Sequence, residues 1–160
     1  MEFEVINTTT TDELLKAIAD NQNNNFKIGA GFTDLINQFK HQPVKDLTVI
    51  NISQLKDSTY KDIVEEENCL KIGTLATASD IVANKYIKEN FPVLHQAASK
   101  LACTQIRNVA TLGGNICNVS PSGDMTAALI ALQATCHIID CNGNERSELL
   151  SNFIVGLKKT

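Results

Sequence analysis

The stretch RNVATLGGNICNVSPSGD, residues 107–124, decides how this chain is read. Gly113, Gly114 and Asn115 sit together in it, and Ser-Pro-Ser-Gly-Asp closes it. Gly-Gly-Asn is poor material for a strand or a helix interior, and suits a backbone that bends sharply or is approached closely. The stretch therefore predicts a turn at 113–115 whose N–H groups are not shielded by a Cβ. The apolar run DMTAALIAL (124–132) then reads as a helix, with Asp124 as its N-cap.

A second glycine segment has the same character. Ile28-Gly29-Ala30-Gly31-Phe32-Thr33-Asp34-Leu35 lies between a strand, FKIGA, and a helix that runs to about Gln38. Each segment can present bare main-chain donors, and Thr33, Thr111 and Asn115 add side-chain ones. Two such turns converging from two lobes would cradle a pyrophosphate. The first is neither G-x-G-x-x-G, since its next glycine is Gly73, nor a Walker A loop, since it lacks G-K-[ST]. Taken alone, each segment is an ordinary tight turn.

Outward from these segments the periodicity changes once. EFEVI (2–6) alternates as a strand does. Thr10 and Glu13 have capping-box spacing ahead of the helix TDELLKAIAD. A polar NQNNN loop, the FKIGA strand, the next helix and the strand LTVINI (47–52) follow. Residues 1–54 thus read as β-α-β-α-β, a first lobe. In the second lobe, 55–160, DIVEEE and CLKIGTL read as an antiparallel hairpin about Glu67-Asn68. TASDIVANKYI (77–87) reads as a helix capped by Thr77 or Ser79, and Pro92 opens another, PVLHQAASKLA. ATCHIIDC and ERSEL flank an Asn142-Gly143 hairpin turn.

Composition removes several function classes. The chain has 160 residues, enough for one domain or two small lobes, and 43% of them are hydrophobic, enough for a packed core. Aromatics make up 5% with no Trp, which argues against a stacking surface for single strands. The net charge is -4 with the two signs interspersed, so a basic nucleic-acid footprint is not expected. No apolar run approaches the ~20 residues of a membrane span, and MEFEVINTTT is not a signal peptide. The five cysteines, Cys69, Cys103, Cys117, Cys136 and Cys141, show no C-x-x-C spacing. They read as small apolar fillers in a reducing, cytoplasmic setting. His41, His95 and His137 have no metal-ligand spacing, and Glu65-Glu66-Glu67 reads as a solvated hairpin end.

On AGFTDL (30–35) and QIRNVATLGGNICNVSPSGD (105–124), with DMTAALIAL and FIVGLKKT following in order, the chain resembles the FAD-binding domain of molybdenum hydroxylases. Xanthine dehydrogenase and the medium subunit of carbon monoxide dehydrogenase belong to that family. The resemblance covers essentially the whole chain. It implies an α+β fold of the PCMH / molybdopterin dehydrogenase type, a small β-α-β lobe beside a larger mixed or antiparallel sheet lobe with helices. It implies FAD bound between the lobes, with Gly29, Ala30, Gly31, Phe32, Thr33, Asp34 and Leu35 as the first phosphate loop. Thr111, Gly113, Gly114 and Asn115 would form the second, with Asp124 hydrogen-bonded to the cofactor. Leu101 would lie near the adenine and Leu35 near the isoalloxazine.

Two departures from the family pattern stand out. Phe32 occupies a place where relatives often carry Gly or Asn, so its ring must turn away from the phosphates or the loop must shift. Relatives continue past the segment that here reads Lys158-Lys159-Thr160 into a C-terminal α/β domain, which this chain is expected to lack. The implied function is a flavin module that takes electrons from [2Fe-2S] clusters on a partner and passes them to NAD+ or another acceptor. Molybdopterin would sit on a further subunit, and this chain would supply no acid, base, nucleophile or metal ligand. The alternative is a truncated scaffold or interaction domain that has lost the flavin. A third reading is another nucleotide in the same cradle.

Overall fold

A computed structural model describes residues 3–41, 45–120, 123–157 and 159–160. Glu2, the expected start of the first strand, lies outside them, as do Pro121 and Ser122 of the SPSGD turn and Lys158 of the terminal segment.

The N-terminal half follows its sequence pattern: β1 (Glu4–Asn7), α1 (Thr11–Asn21), β2 (Phe26–Gly29), α2 (Leu35–His41) and β3 (Thr48–Asn51). The strands make one parallel sheet in the order β1-β3-β2, so the last strand is central. Its Val49 and Ile50 are both fully buried, one on each face. Ile50 packs with Leu14 and Ala17 of α1, and Val49 with Phe39 of α2 and Leu47. The two crossovers run in opposite directions along the sheet, and right-handed connections then place their helices on opposite faces. Leu55 and Leu75 complete the Ile50 cluster, so apolar contact continues past residue 54.

Capping explains where α1 begins. Thr10 accepts from the Glu13 N–H at 3.2 Å, as its spacing predicts. The return bond goes one residue earlier than expected: the Thr9 N–H and hydroxyl donate to Glu13 Oε2 at 2.7 and 3.0 Å.

The remaining chain is mainly helical. A 3-10 turn (Ser58–Tyr60) precedes β4 (Ile63–Glu65) and β5 (Leu70–Ile72), which pair antiparallel as the hairpin expected about Glu67-Asn68. The helix expected over 77–87 is two, α3 (Ala78–Ala83) and α4 (Lys85–Asn90). Asn84 ends the first in extended geometry and caps the second by accepting from Ile87 N–H at 2.9 Å. Thr77, not Ser79, starts α3, in a complete capping box with Asp80. Pro92 is the first residue of α5 (Pro92–Lys100). After it come α6 (Thr104–Arg107), α7 (Leu112–Asn118), α8 (Asp124–Ala131), the antiparallel pair β6 (Thr135–Ile139) and β7 (Glu145–Leu149), and the short α9 (Leu150–Phe153). Gly143 in the β6–β7 turn has φ +83°, the left-handed geometry that favours Asn-Gly.

The core of this half joins Ile81, Ile87, Leu94, Met125 and Leu150, each at most 1% exposed. Burial of one such side chain stabilises by about 1.5–3 kcal/mol. As expected of the larger lobe, its strands pair antiparallel beside helices; among the described residues they form two two-stranded sheets. Of the cysteines read as apolar fillers, Cys136 packs against the helical core. Cys69, Cys103 and Cys117 are exposed, Cys136 and Cys141 half-buried, and all five are free thiols. Cys69 and Cys141 instead meet polar neighbours, Glu66 and Gln22.

Candidate functional site

A cleft of about 470 Å³ opens between the parallel sheet and the helical half. One wall is Ala30, Gly31 and Phe32, the loop between β2 and α2. The facing wall is Asn108, Val109 and Thr111, the approach to α7. Ser53, Lys61, Leu75, Thr77 and Asp80 close the remaining sides. The two loops meet at Gly31: a Cβ there would overlap the Val109 carbonyl, so only glycine permits the approach.

The first loop is held open by side chains behind it. Phe32 has φ +60°, the left-handed region that Gly and Asn enter most readily. The family resemblance carries the same expectation, Gly or Asn at that place. The Phe32 ring folds back over Gly29, where a Cβ would collide with it, and packs beside Phe39, Leu47 and Val49. The ring thus turns onto the core and the loop keeps its place. Asp34 accepts from the Gln38 amide one turn on. Among the described residues, the N–H groups of Ala30, Gly31, Phe32, Thr33 and Asp34 donate to no protein acceptor. Three of these residues, Ala30, Gly31 and Phe32, line the cleft, and Thr33 and Asp34 follow them in the loop.

The Gly-Gly-Asn segment differs from its sequence reading. It is the first turn of α7, not a loop. Thr111 is the N-cap and accepts from Gly114 N–H at 3.1 Å. Leu112 N–H donates to the Ala76 carbonyl at 2.9 Å, Gly113 N–H to the Thr74 carbonyl at 2.8 Å, and Asn115 N–H to the Thr111 carbonyl at 3.0 Å. The amides of Leu112, Gly113 and Gly114, which have no acceptor within the helix, are thereby satisfied by the rest of the protein, and Asn115 makes the first bond of the helix ladder. Gly113 is required by packing, since a Cβ would strike Thr74. The cap and this contact override the poor helix propensity of two glycines. The Thr111 hydroxyl accepts this one bond, and the residue lines the cleft.

Asn115 and Asp124 also exchange expected parts. Asp124 is the first residue of α8 and is exposed, while Gly123 holds the cap position and makes no side-chain cap bond. Asn115 caps α8 from outside: its Oδ1 accepts from Thr126 N–H at 3.1 Å and Thr126 hydroxyl at 2.9 Å. Leu101 ends α5, half-buried against the helical core. Its carbonyl and that of Ala102 accept from the Arg107 guanidinium at 2.8 and 3.1 Å, which holds the left-handed Ala102 (φ +39°) in place. Of the expected site residues, the cleft brings together Ala30, Gly31, Phe32 and Thr111. Gly29 lies behind Phe32, and Thr33, Asp34 and Leu35 continue the loop into α2. Leu101, Gly113, Gly114, Asn115 and Asp124 lie off the cleft wall.

Lys61, Asp80, Asn108, Ser53 and Thr77 line the cleft without having been singled out. The sequence marks Thr77 only as one of two candidate helix caps, and nothing in it places Lys61 in one cleft with Gly31. Burial pushes the Cys117 thiol up although the residue is exposed by area, and Cys136 is raised by burial and by Cys117. Neither is thereby activated as a nucleophile. His137 Nδ1 pairs with the Ser147 hydroxyl at 2.9 Å. Among the described residues no group of three or more His, Cys, Asp or Glu could hold a metal, and no helix is long and apolar enough to cross a membrane.

Residues 1–160 match the family described as the FAD binding domain in molybdopterin dehydrogenase. The nicotinate dehydrogenase FAD-subunit of Eubacterium barkeri is 36% identical over 124 residues, 78% of this chain and 41% of its own length. The glyceraldehyde dehydrogenase medium chain of Sulfolobus acidocaldarius is 30% identical over 152 residues, 95% of this chain and 53% of its own. The xanthine dehydrogenase FAD-binding subunit of Escherichia coli O157:H7 is 32% identical over 129 residues, 81% and 43% respectively. The chain spans about half the length of these curated relatives. A chain of carbon monoxide dehydrogenase from Hydrogenophaga pseudoflava superposes with a TM-score of 0.91 at 25% identity, over 100% of this chain and 54% of that one. Quinoline 2-oxidoreductase from Pseudomonas putida 86 shares the fold, with a TM-score of 0.90 at 21% identity over 100% of this chain and 54% of that one. The α+β fold, the glycine loop at the cleft and these matches agree: the chain belongs to the family of FAD-binding domains of molybdopterin dehydrogenases.

Proposed function

We propose that this chain holds FAD in the cleft between its two lobes, 1–54 and 55–160, as the flavin module of a molybdenum hydroxylase. The observation that carries the reading is the loop of five unpaired N–H groups, Ala30 to Asp34, at the edge of a cleft of about 470 Å³. These donors fit a diphosphate, which needs several hydrogen bonds and gains most from preorganised ones. Gly29 and Gly31 keep the loop in that shape, and Leu35 begins the helix behind it. Thr111 would give its hydroxyl proton to the same ligand. Gly113 serves by letting α7 pack closely on Thr74, Gly114 by donating to the Thr111 cap, and Asn115 by fixing α8, whose exposed Asp124 would face a further part of the cofactor. Leu101, steadied by Arg107, would border the adenine.

Bound FAD supplies two-electron and one-electron chemistry in one group. This chain's residues would bind and orient it, without donating or accepting a proton. In the complete assembly we place molybdopterin and [2Fe-2S] clusters on partner subunits and NAD+ or another acceptor as the outlet, in the cytoplasm. Titration of the purified protein with FAD, followed by flavin fluorescence, tests the reading. Saturable quenching at one flavin per chain is expected; unquenched fluorescence at micromolar protein and flavin refutes it.

One observation favours a second reading, a scaffold domain that keeps the fold without the flavin. The amides of Gly113 and Gly114, expected to face phosphate, are satisfied within the protein. Such a scaffold would leave FAD free in the same titration and still bind its partner subunits.

A further inference from the structure

The cleft has two charged residues among those that line it, Lys61 and Asp80, and they differ in what they are doing. Asp80 Oδ2 accepts from Thr77 N–H at 2.8 Å and Thr77 hydroxyl at 2.6 Å, so it is committed to starting α3. Lys61 makes no ion pair among the described residues. Its backbone is nevertheless fixed. Lys61 N–H donates to the Ser58 carbonyl at 2.9 Å, and the neighbouring Tyr60 hydroxyl is bonded to Thr11 at 3.1 Å. Gly73 packs so closely on Tyr60 and Lys61 that a Cβ would collide with their peptide. Lys61 is thus an exposed lysine on a fixed backbone, lining the same cleft as Ala30, Gly31 and Phe32 and making no ion pair among the described residues, so its ammonium is available to an anion in that cleft.

We propose that Lys61 binds the diphosphate of the cofactor from the wall opposite Gly31 and offsets the Asp80 charge there. The proposal rests on the flavin reading of the cleft and adds to it the residue that makes the site electrostatically acceptable to a dianion. With Lys61 present, the charged residues of the wall sum to zero. Without it, a single carboxylate faces the phosphates. Loss of Lys61 therefore removes one attraction and uncovers one repulsion, and part of the loss is recovered when Asp80 is neutralised.

The test is FAD affinity, by fluorescence titration at low salt, of the wild type, Lys61→Gln, Lys61→Arg and the double variant Lys61→Gln/Asp80→Asn, with thermal melts of each without ligand. Lys61→Gln is expected to weaken FAD binding roughly tenfold, the size of one hydrogen bond to a charged group. Lys61→Arg should stay within about twofold, since it keeps the charge. The double variant should recover at least about half of the logarithmic loss, and the unliganded melts should not move for the single variants because Lys61 pairs with nothing. A Lys61→Gln protein that binds FAD as the wild type does overturns the proposal and leaves the flavin reading standing. Lys61→Arg as weak as Lys61→Gln also overturns it, as does a double variant no tighter than the single. A wild type that takes up no FAD overturns the flavin reading itself.

Discussion

Replacement of Asn115 by Ala should destabilise the fold, and the structure sets the size. Asn115 Oδ1 receives the Thr126 N–H at 3.1 Å and the Thr126 hydroxyl at 2.9 Å, and Thr126 is 6% exposed. The hydroxyl has a fallback in the Asn115 carbonyl at 3.3 Å, which the substitution retains. The N–H has none, because Gly123 offers no side chain. One stranded buried N–H costs about 1–3 kcal/mol, and a weakened hydroxyl bond adds about 0.5–1. The sum, about 1.5–4 kcal/mol, lowers the melting temperature by roughly 3–16 °C for a domain of this size. Asn115→Asp keeps the acceptor and places a negative charge at a helix start, so its melt should stay within about 2 °C of wild type. Calorimetry or far-UV circular dichroism reads both. An Asn115→Ala protein melting within about 1 °C of wild type would refute the capping role. An Asn115→Asp protein as weak as Asn115→Ala would refute it too.

Other perturbations follow from the same geometry. Gly31→Ala drives a methyl into the Val109 carbonyl, so it should cost about 1–3 kcal/mol as overpacking does, and should weaken FAD uptake more than Gly114→Ala; paired melts and titrations compare them. At Gly114 a Cβ meets only the Thr111 hydroxyl oxygen, at 2.9 Å. Leu94→Ala in the helical core, where Leu94 is 1% exposed, should cost about 2–5 kcal/mol, read from denaturant midpoints. Hydrogen bonds from Thr9 hold Glu13 below its ordinary range, and bonds from Asn144 do the same for Asp140. Depressed carboxylate pKa values contribute stability above the unfolded values of 4.5 and 3.8, and it is lost as pH falls through the lower folded values. Melting temperature should therefore drop on acidification from about pH 5, and Glu13→Gln with Asp140→Asn should flatten that slope.

Much of the fold can be read from local chemistry. Period-two and helical apolar patterns place β1 through β3 with α1 and α2, Thr10 and Thr77 mark helix starts, and Asn142-Gly143 marks the β6–β7 turn. The strand order β1-β3-β2 is not local: it depends on which strand is buried on both faces, and Val49 and Ile50 reveal it only once packed. The helix at Gly113-Gly114-Asn115 is hidden for the same reason, since Thr74 and Ala76 supply its acceptors from a distant connection. Asn84 conceals a helix break because it serves as stop and start at once. At the cleft, the glycine loop is legible because two glycines one residue apart, Gly29 and Gly31, signal close approach. Lys61 is not, because an isolated lysine acquires meaning only from what it faces.

The central claim is that the main-chain donors of one loop hold the flavin diphosphate. Backbone amide NMR of the labelled protein during FAD titration tests it directly. The largest shifts are expected at Ala30, Gly31, Phe32, Thr33 and Asp34, moving downfield as each N–H gains an acceptor, while Gly113 and Gly114, already bonded, move little. Saturable binding that leaves the 30–34 amides unmoved would contradict the account.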